Sequence, residues 1–306
     1  MSDREIMVLG FQESGKTTFA AALWHLVDSR EINDTALVKG KHNGDFQYLE
    51  KISGVWAAGW AVDRTRSQEW LPITINLRRL VPETDVRLSF VDIAGETVER
   101  IFATREVDRR VEPLIREASG LLLFVSALRA QDDDSIVDLY LEFPEEAPPE
   151  PADEPTEAES NAPVEAAALG EKVPFQVERT PQQVQLVDLL DAFADDPLEM
   201  RPARIAVIIS AWDRAHGGST PEAWLEDHMP LLFQYLSTHA DEFETRIYGV
   251  SAQGGHVPSR ENPTEPSDRQ ELLEQPEASS RIRVVGHGAG HHDLTHPIAW
   301  LSGVGS

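Results

Sequence analysis

Apolar residues fall into short runs separated by polar stretches, and their spacing alternates between strand-like and helix-like. Six runs are uniformly apolar or alternate with period two, which predicts strands. They span residues 6–10, 71–80, 85–93, 120–128, 203–213 and 245–253. Apolar residues at helical spacing or helix-forming composition lie between them. These helical segments span residues 16–27, 44–70, 97–117, 181–196, 223–239 and 293–303.

Strands that alternate with helices predict a mostly parallel sheet with helices on both faces. Residues 71–80 and 85–93 are joined only by VPET, so we expect one antiparallel hairpin there. The predicted fold class is therefore α/β, with three layers and a mostly parallel central sheet. Ligands bind such sheets at the carboxyl ends of the strands. Functional residues are therefore expected directly after strands.

The first strand is followed by a phosphate-binding loop. GFQESGKT fits G-x-x-x-x-G-K-[ST] and lies between a predicted strand and a predicted helix. Backbone N–H groups of the loop and the helix N-terminus favour phosphate. We expect Lys16 to contact the β- and γ-phosphates and Thr17 to ligate Mg²⁺. The nucleotide-binding residues predicted here are Gly10, Gln12, Glu13, Ser14, Gly15, Lys16, Thr17 and Thr18.

Three further motifs follow strands. In VDIAG, we expect Asp92 to position Mg²⁺ and Gly95 to offer its N–H to the γ-phosphate. In SAWD, the Asp213 carboxylate can accept hydrogen bonds from N1–H and the 2-amino group of guanine, a donor pair that adenine lacks. An ordinary loop carboxylate is the alternative at this position. In VSAQ, backbone N–H groups at Ser251 and Ala252 can contact the guanine oxygen.

The four motifs GFQESGKT, DIAGE, SAWD and VSAQ resemble, in this order, those of translation-factor-related GTPases, the class that contains Ras-like proteins. GWAVDRT, YGVSAQGG and DLTHPIAWL are similar to the bacterial double-GTPase group. The resemblance implies one P-loop G domain over residues 1–306, with GTP or GDP and Mg²⁺ as ligands. It also implies a molecular switch that works with a second GTPase or an effector protein, often in bacterial conflict or defence gene clusters.

The chain departs from this class at two positions. The guanine-reading motif of the class is [NT]-K-x-D, whereas Ser210 and Ala211 stand first here. Trp212 either supplies the flat surface of the missing lysine stem or packs in the core. Glu96 occupies the place of the water-orienting glutamine, and its charge opposes the γ-phosphate. We therefore expect slow GTP hydrolysis; a non-hydrolysing scaffold and an ATP-using P-loop enzyme are the alternatives.

The resemblance places an extended switch I region at residues 40–72, which should supply a threonine to Mg²⁺. Thr65 is our candidate and Thr35 the weaker alternative. Arg64 and Arg66 flank Thr65 and are either arginine fingers or exposed residues without a catalytic role. The predicted catalytic residues are Lys16, Thr65 and Glu96, and the predicted metal ligands are Thr17, Thr65 and Asp92.

The formal net charge of −26 argues against a surface that follows nucleic-acid phosphates. Residues 132–178 account for −14 of it, with 15 acidic residues and one basic residue. Their Pro-, Glu- and Ala-rich composition predicts that residues 131–181 are a disordered insertion, either a solvated loop or a partner-binding segment. The chain contains no cysteine and no apolar run long enough to span a membrane, and we expect no signal peptide before the first strand. We expect a cytoplasmic protein without membrane contact.

A histidine-rich segment precedes the last predicted helix. GHGAGHHDLTH contains His287, His291, His292 and His296. Such tracts can bind metal, but the carboxylate or cysteine partners of a familiar site are missing. We interpret the segment as a flexible Gly-His loop.

Overall fold

Eight strands form one mixed sheet in the part of the chain that the structure describes. A computed structural model describes residues 4–41, 46–62, 73–90, 96–128, 180–215 and 218–303, and the Glu96 side chain is outside this description. The strands are β1 (Arg4–Leu9), β2 (Val38–Lys39), β3 (Ile73–Leu80), β4 (Glu83–Phe90), β5 (Gly120–Ser126), β6 (Arg204–Ser210), β7 (Glu244–Ser251) and β8 (Arg283–Val285). Their order in the sheet is β2-β3-β4-β1-β5-β6-β7-β8.

The centre of the sheet is parallel, as predicted. β1 pairs in parallel with β4 and β5, and β5, β6 and β7 continue this parallel arrangement. The predicted antiparallel hairpin is confirmed as β3 and β4, with Leu80 opposite Glu83. Two further antiparallel pairs, β2–β3 and β7–β8, extend the sheet at its edges. The sequence pattern missed β2 and β8 because two or three residues are too few to show a period.

Helices cover both faces of this sheet. The α-helices of the described residues are α1 (Lys16–Ser29), α2 (Gln47–Ala57), α3 (Glu96–Thr104), α4 (Glu112–Arg116), α5 (Gln182–Ala194), α6 (Pro221–His228), α7 (Pro230–Thr238), α8 (Arg269–Leu273) and α9 (Thr295–Leu301). Side chains of β1 alternate between two hydrophobic cores, one on each face of the sheet. Ile6 and Val8 pack with α1, α2 and α9. Met7 and Leu9 pack with α3, α5 and α6. The architecture is therefore the expected three-layer α/β fold.

The prediction of one continuous helix over residues 97–117 is wrong, because two helices are observed. α3 ends at Thr104, and Arg105 has the left-handed backbone conformation, with φ at 59°. A turn follows in which the Asp108 carboxylate accepts the Arg110 backbone N–H at 2.9 Å. α4 then begins with Pro113 in its first turn, where a missing N–H is tolerated. A proline ring clashes with the backbone of the preceding helical turn. Pro113 is therefore favoured at the start of a new helix and disfavoured inside a continuous one.

The helix predicted over residues 223–239 is likewise two helices. α6 ends at His228 and α7 begins at Pro230, with Met229 between them at φ −135° and ψ 58°. Proline removes an intrahelical hydrogen bond and disfavours the helical conformation of the residue before it. The break therefore follows from Pro230, which the apolar period concealed.

The predicted acidic insertion 131–181 lies outside the described residues, except for residues 180–181. The helix expected after it is confirmed as α5. Within the predicted switch I region 40–72, α2 is described, and residues 42–45 and 63–72 are not.

Candidate functional site

The phosphate-binding loop connects β1 to α1. Gly15 precedes the helix with φ at 89°, a left-handed conformation that glycine adopts without steric cost. A Cβ atom on Gly15 would lie 2.7 Å from the Ser210 Cβ, so the loop packs directly on the end of β6. The loop of the first motif and the SAWD motif are thus brought into contact across the end of β5, which lies between β1 and β6 in the sheet.

Lys16 is held within the loop. Its Nζ donates hydrogen bonds to the carbonyl oxygens of Gly10 and Phe11, both at 2.7 Å, and to Ser14 Oγ at 3.3 Å. The Lys16 residue is only 2% exposed. Ser14 Oγ in turn donates to the Phe11 carbonyl at 2.8 Å. These contacts concentrate a positive charge beside the helix N-terminus, where an anion is electrostatically favoured.

The remaining predicted loop residues flank Lys16 in the chain. Thr17 and Thr18 occupy the first turn of α1 and are half-buried, and Gln12 is half-buried in the loop. Glu13 has a positive φ of 59° and lies on the cavity wall with Gly15 and Thr18. The hydroxyl of Thr17 is an oxygen donor of the type that Mg²⁺ prefers, directly after Lys16.

Asp213 is oriented by a serine from the next motif. It lies in a 3-10 helix, Trp212–Arg214, which follows β6. The Ser251 hydroxyl at the end of β7 donates to Asp213 Oδ1 and accepts the Gly254 N–H at 3.1 Å. SAWD and VSAQ are therefore linked by a side-chain hydrogen bond, and the Asp213 carboxylate has a defined orientation.

Trp212 is half-buried and packs against the core rather than on the cavity wall. A Cβ atom on Gly249 would lie 2.6 Å from Cγ and 2.7 Å from Cε2 of Trp212, so the indole lies against the β7 backbone. Its ring also meets Trp224 edge-on, with centroids 6.5 Å apart. Of the two roles that the sequence left open for Trp212, packing is the one observed. Arg214, one residue beyond Asp213, lines the cavity.

One cavity of about 240 Å³ joins the three motifs. Its wall combines phosphate-loop residues with the ends of β5, β6 and β7. The motif residues on this wall are Glu13, Gly15, Thr18, Ser210, Ala211, Asp213, Ser251, Ala252 and Gln253. Sequence reasoning missed the contribution of Phe124, Ser126 and Leu128 at the end of β5. The signal that could have found them is their place at the carboxyl end of the predicted strand 120–128, where ligands bind in such sheets.

Several predicted site residues lie outside the described residues. They are Arg64, Thr65, Arg66, Asp92, Gly95 and the side chain of Glu96. The alternative metal ligand Thr35 is described and is absent from the cavity wall. The residues that follow it bind the start of α9: the Ala36 N–H donates to Asp293 Oδ2 at 2.8 Å and the Leu37 N–H to Thr295 Oγ1 at 2.9 Å.

The histidine-rich segment makes specific contacts. His292 Nδ1 lies 2.7 Å from the Ile282 carbonyl oxygen, and His287 Nε2 lies 3.1 Å from Glu222 Oε1. Burial is the main cause that lowers the pKa of His287 and of His296 from the ordinary histidine value. Within the described ranges, no group of three or more His, Cys, Asp or Glu side chains has an arrangement suited to a metal ion.

The fold and this site define a P-loop nucleotide-binding protein of the GTPase type. A phosphate loop between β1 and α1 shares its cavity with two loops that follow β6 and β7. The model of the Double-GTPase 1 family, DO-GTPase1, matches residues 7–301, and the chain belongs to that family. This confirms the resemblance drawn from the motifs. No curated protein sequence matches the chain. In the described portion of the chain, no helix combines the length and apolarity needed to cross a bilayer.

Proposed function

We propose that this protein is a GTP-binding and GTP-hydrolysing molecular switch. The observation that carries the proposal is the single cavity in which the phosphate loop faces Asp213, whose carboxylate is oriented by Ser251. Phosphate-loop residues and a carboxylate acceptor for guanine on the wall of one cavity suit the two parts of a guanine nucleotide. Membership of the Double-GTPase 1 family supports guanine as the base.

The residues divide into phosphate, metal and base contacts. Lys16 binds the β- and γ-phosphates, and Gly95 donates its backbone N–H to the γ-phosphate. Thr17, Thr65 and Asp92 hold Mg²⁺, which when bound neutralises charge on the phosphate oxygens. Asp213 accepts from the guanine edge, and the backbone of Ser251 and Ala252 contacts its oxygen. Thr17 fits the metal because its hydroxyl follows Lys16 in the first turn of α1.

Hydrolysis by the isolated protein is slow in this proposal. Glu96 orients the attacking water, but its negative charge opposes the γ-phosphate before reaction. A partner that supplies a cation or repositions Glu96 lowers the barrier, and one such group is worth about 10²- to 10³-fold in rate. A switch requires this combination of a long-lived GTP state and an external trigger.

We further propose that the partner is a second GTPase or an effector protein in a bacterial multi-protein system, which includes conflict or defence systems. The family description "Double-GTPase" supports a second GTPase. Pull-down with the protein loaded with GDP or with a non-hydrolysable GTP analogue should recover different amounts of the partner. Equal recovery in both states would contradict the switch.

Competition and single-turnover experiments test the function itself. GTP should displace a fluorescent GDP analogue at concentrations at which ATP does not. Single-turnover hydrolysis of GTP should be slow, should rise when the partner is added, and should lose that rise in Glu96→Ala. Displacement by ATP alone would point to an ATP-using enzyme, and binding without turnover under either condition to a scaffold.

A further inference from the structure

Beside the nucleotide cavity, the Gln253 amide has no hydrogen-bond partner in the part of the chain that the structure describes. Gln253 is only 9% exposed and belongs to the cavity wall. Its Nε2 and Oε1 atoms are both shielded from solvent, and neither has a hydrogen-bond partner among the described residues. A buried polar group in this state destabilises the protein because it has lost its hydrogen bonds to water without replacing them. Such a group requires an explanation, and a ligand that completes its hydrogen bonds is one.

The backbone around Gln253 is fixed on both sides. The Ala252 carbonyl accepts the indole N–H of Trp56 at 3.0 Å, and Trp56 is completely buried. The Gly254 N–H donates to Ser251 Oγ at 3.1 Å, and Gly254 packs against the Arg281 carbonyl. Because its neighbours are held in this way, a change in the Gln253 side-chain torsions, and not in the loop backbone, would bring its amide to a ligand.

The chemistry of guanine indicates which atom this amide contacts. In the proposed function, N1–H and the 2-amino group face Asp213, and the guanine oxygen faces the backbone of Ser251 and Ala252. N7 is the other acceptor on the same edge as that oxygen. N7 requires a hydrogen-bond donor. The Asp213 carboxylate only accepts hydrogen bonds, whereas a glutamine amide carries two N–H donors. Gln253 extends from the loop that contacts this edge.

We propose that Gln253 is a base-contacting residue that donates its amide N–H to N7 of guanine. This inference rests on the proposed function and adds one side chain to its base site. The amide exchanges an unpaired buried state for a hydrogen bond when the nucleotide enters. Because N7 belongs to every natural purine, Gln253 strengthens purine binding, whereas Asp213 distinguishes guanine from adenine.

Binding of GDP and 7-deaza-GDP tests this contact directly. The two ligands differ in the base only by a C–H group in place of N7. Calorimetry on the wild-type chain should give 7-deaza-GDP an affinity about 3- to 10-fold weaker than GDP, the effect of one neutral hydrogen bond. Gln253→Leu should weaken GDP by the same factor and leave 7-deaza-GDP unchanged, because the two changes remove the same bond.

Two further variants complete the experiment. Gln253→Met keeps the side-chain length without a donor and should behave as Gln253→Leu does. Gln234→Leu removes an exposed glutamine from α7, away from the cavity wall, and should leave both ligands unaffected. Equal affinity of the wild type for both ligands would overturn the proposal, as would an equal loss for both in Gln253→Leu. If the wild type does not bind GDP at all, the proposed function fails as well.

Discussion

The Ser251 hydroxyl donates a hydrogen bond to the Asp213 carboxylate, across 38 residues of sequence. Ser251 ends β7 and Asp213 follows β6, and these are adjacent parallel strands in which Ser210 lies opposite Val250. The bond leaves the Asp213 side chain in a defined orientation at the wall of the cavity. In the proposed function, this bond holds the carboxylate towards the base although the motif lacks the usual lysine.

Asp213→Asn should change which base is preferred. An amide cannot accept both guanine donors, but its N–H groups can meet the carbonyl that xanthine carries at C2. GDP affinity should fall by about 10- to 10²-fold, the range for a lost hydrogen bond to a charged group, and xanthosine diphosphate should bind more tightly than to the wild type. Calorimetry with both nucleotides measures this. Asp227→Asn, at an exposed position of α6, serves as the matched control.

If Asp213→Asn leaves the ratio of the two affinities unchanged, Asp213 does not contact the base. The ATP-using alternative would then gain support.

Gly249→Ala should disturb the base site through Trp212. An added Cβ would overlap the Trp212 ring, with Cγ only 2.6 Å away, and the indole must move. Overpacking of this kind destabilises a core by about 1–3 kcal/mol. Because Trp212 immediately precedes Asp213, GDP affinity should fall together with the free energy of unfolding. Urea unfolding and calorimetry on the same preparation separate the two effects.

Gly54→Ala is the control for this substitution. A Cβ on Gly54, in the exposed face of α2, meets nothing within 4 Å. Alanine in a helix interior is favoured over glycine by about 0.5–1 kcal/mol, so this variant should be slightly more stable and bind GDP normally. Loss of stability in both variants alike would contradict a specific role for Gly249.

Lys16→Ala should remove most of the affinity for GDP and GTP. The substitution deletes the cation that the loop carbonyls of Gly10 and Phe11 hold beside the α1 N-terminus. Charge-assisted hydrogen bonds of this kind correspond to about 10²-fold in affinity. Lys39→Ala, which removes a half-buried lysine paired with Asp28 at 2.5 Å, should leave binding intact. Normal GTP binding by a folded Lys16→Ala protein, judged by circular dichroism, would exclude the loop as the phosphate site.

Stability should fall as the pH is lowered below about 6.5, the ordinary histidine value. Burial lowers the pKa of His287 and His296 in the folded state, and Arg246 adds to this effect, while Glu222 and Asp293 oppose it. A depressed histidine pKa means that the unfolded state binds more protons. The contribution of the two neutral histidines to the free energy of unfolding is therefore fully present above pH 6.5. It is lost as the pH falls towards their folded-state pKa values.

Urea unfolding at pH 7.5, 6.5 and 5.5 measures this dependence. Each histidine contributes a slope of up to about 1.4 kcal/mol per pH unit in the affected range. His287→Gln and His296→Gln should each reduce the slope. A free energy of unfolding that is the same at all three pH values would contradict the prediction.

The sequence by itself determined the elements whose signals are local. The strand, loop and helix around GFQESGKT follow from a short apolar run, a glycine-rich turn and a helix-forming segment that lie side by side in the chain. The same holds for the parallel strands β5, β6 and β7, whose apolar runs are buried on both faces. Errors arose where a proline interrupts a helical period, at Pro113 and Pro230, because periodicity is averaged over a window that hides one residue.

Only the tertiary structure decided which side chains act together. The bond from Ser251 to Asp213, the packing of Trp212 on Gly249 and the contact from Trp56 to Ala252 each join residues far apart in sequence. Such contacts depend on strand order and on which face each strand turns to the core. Hydrophobic periodicity specifies the face of a single element but not its neighbour, so no local pattern could place Trp212 against the core or Gln253 beside the cavity.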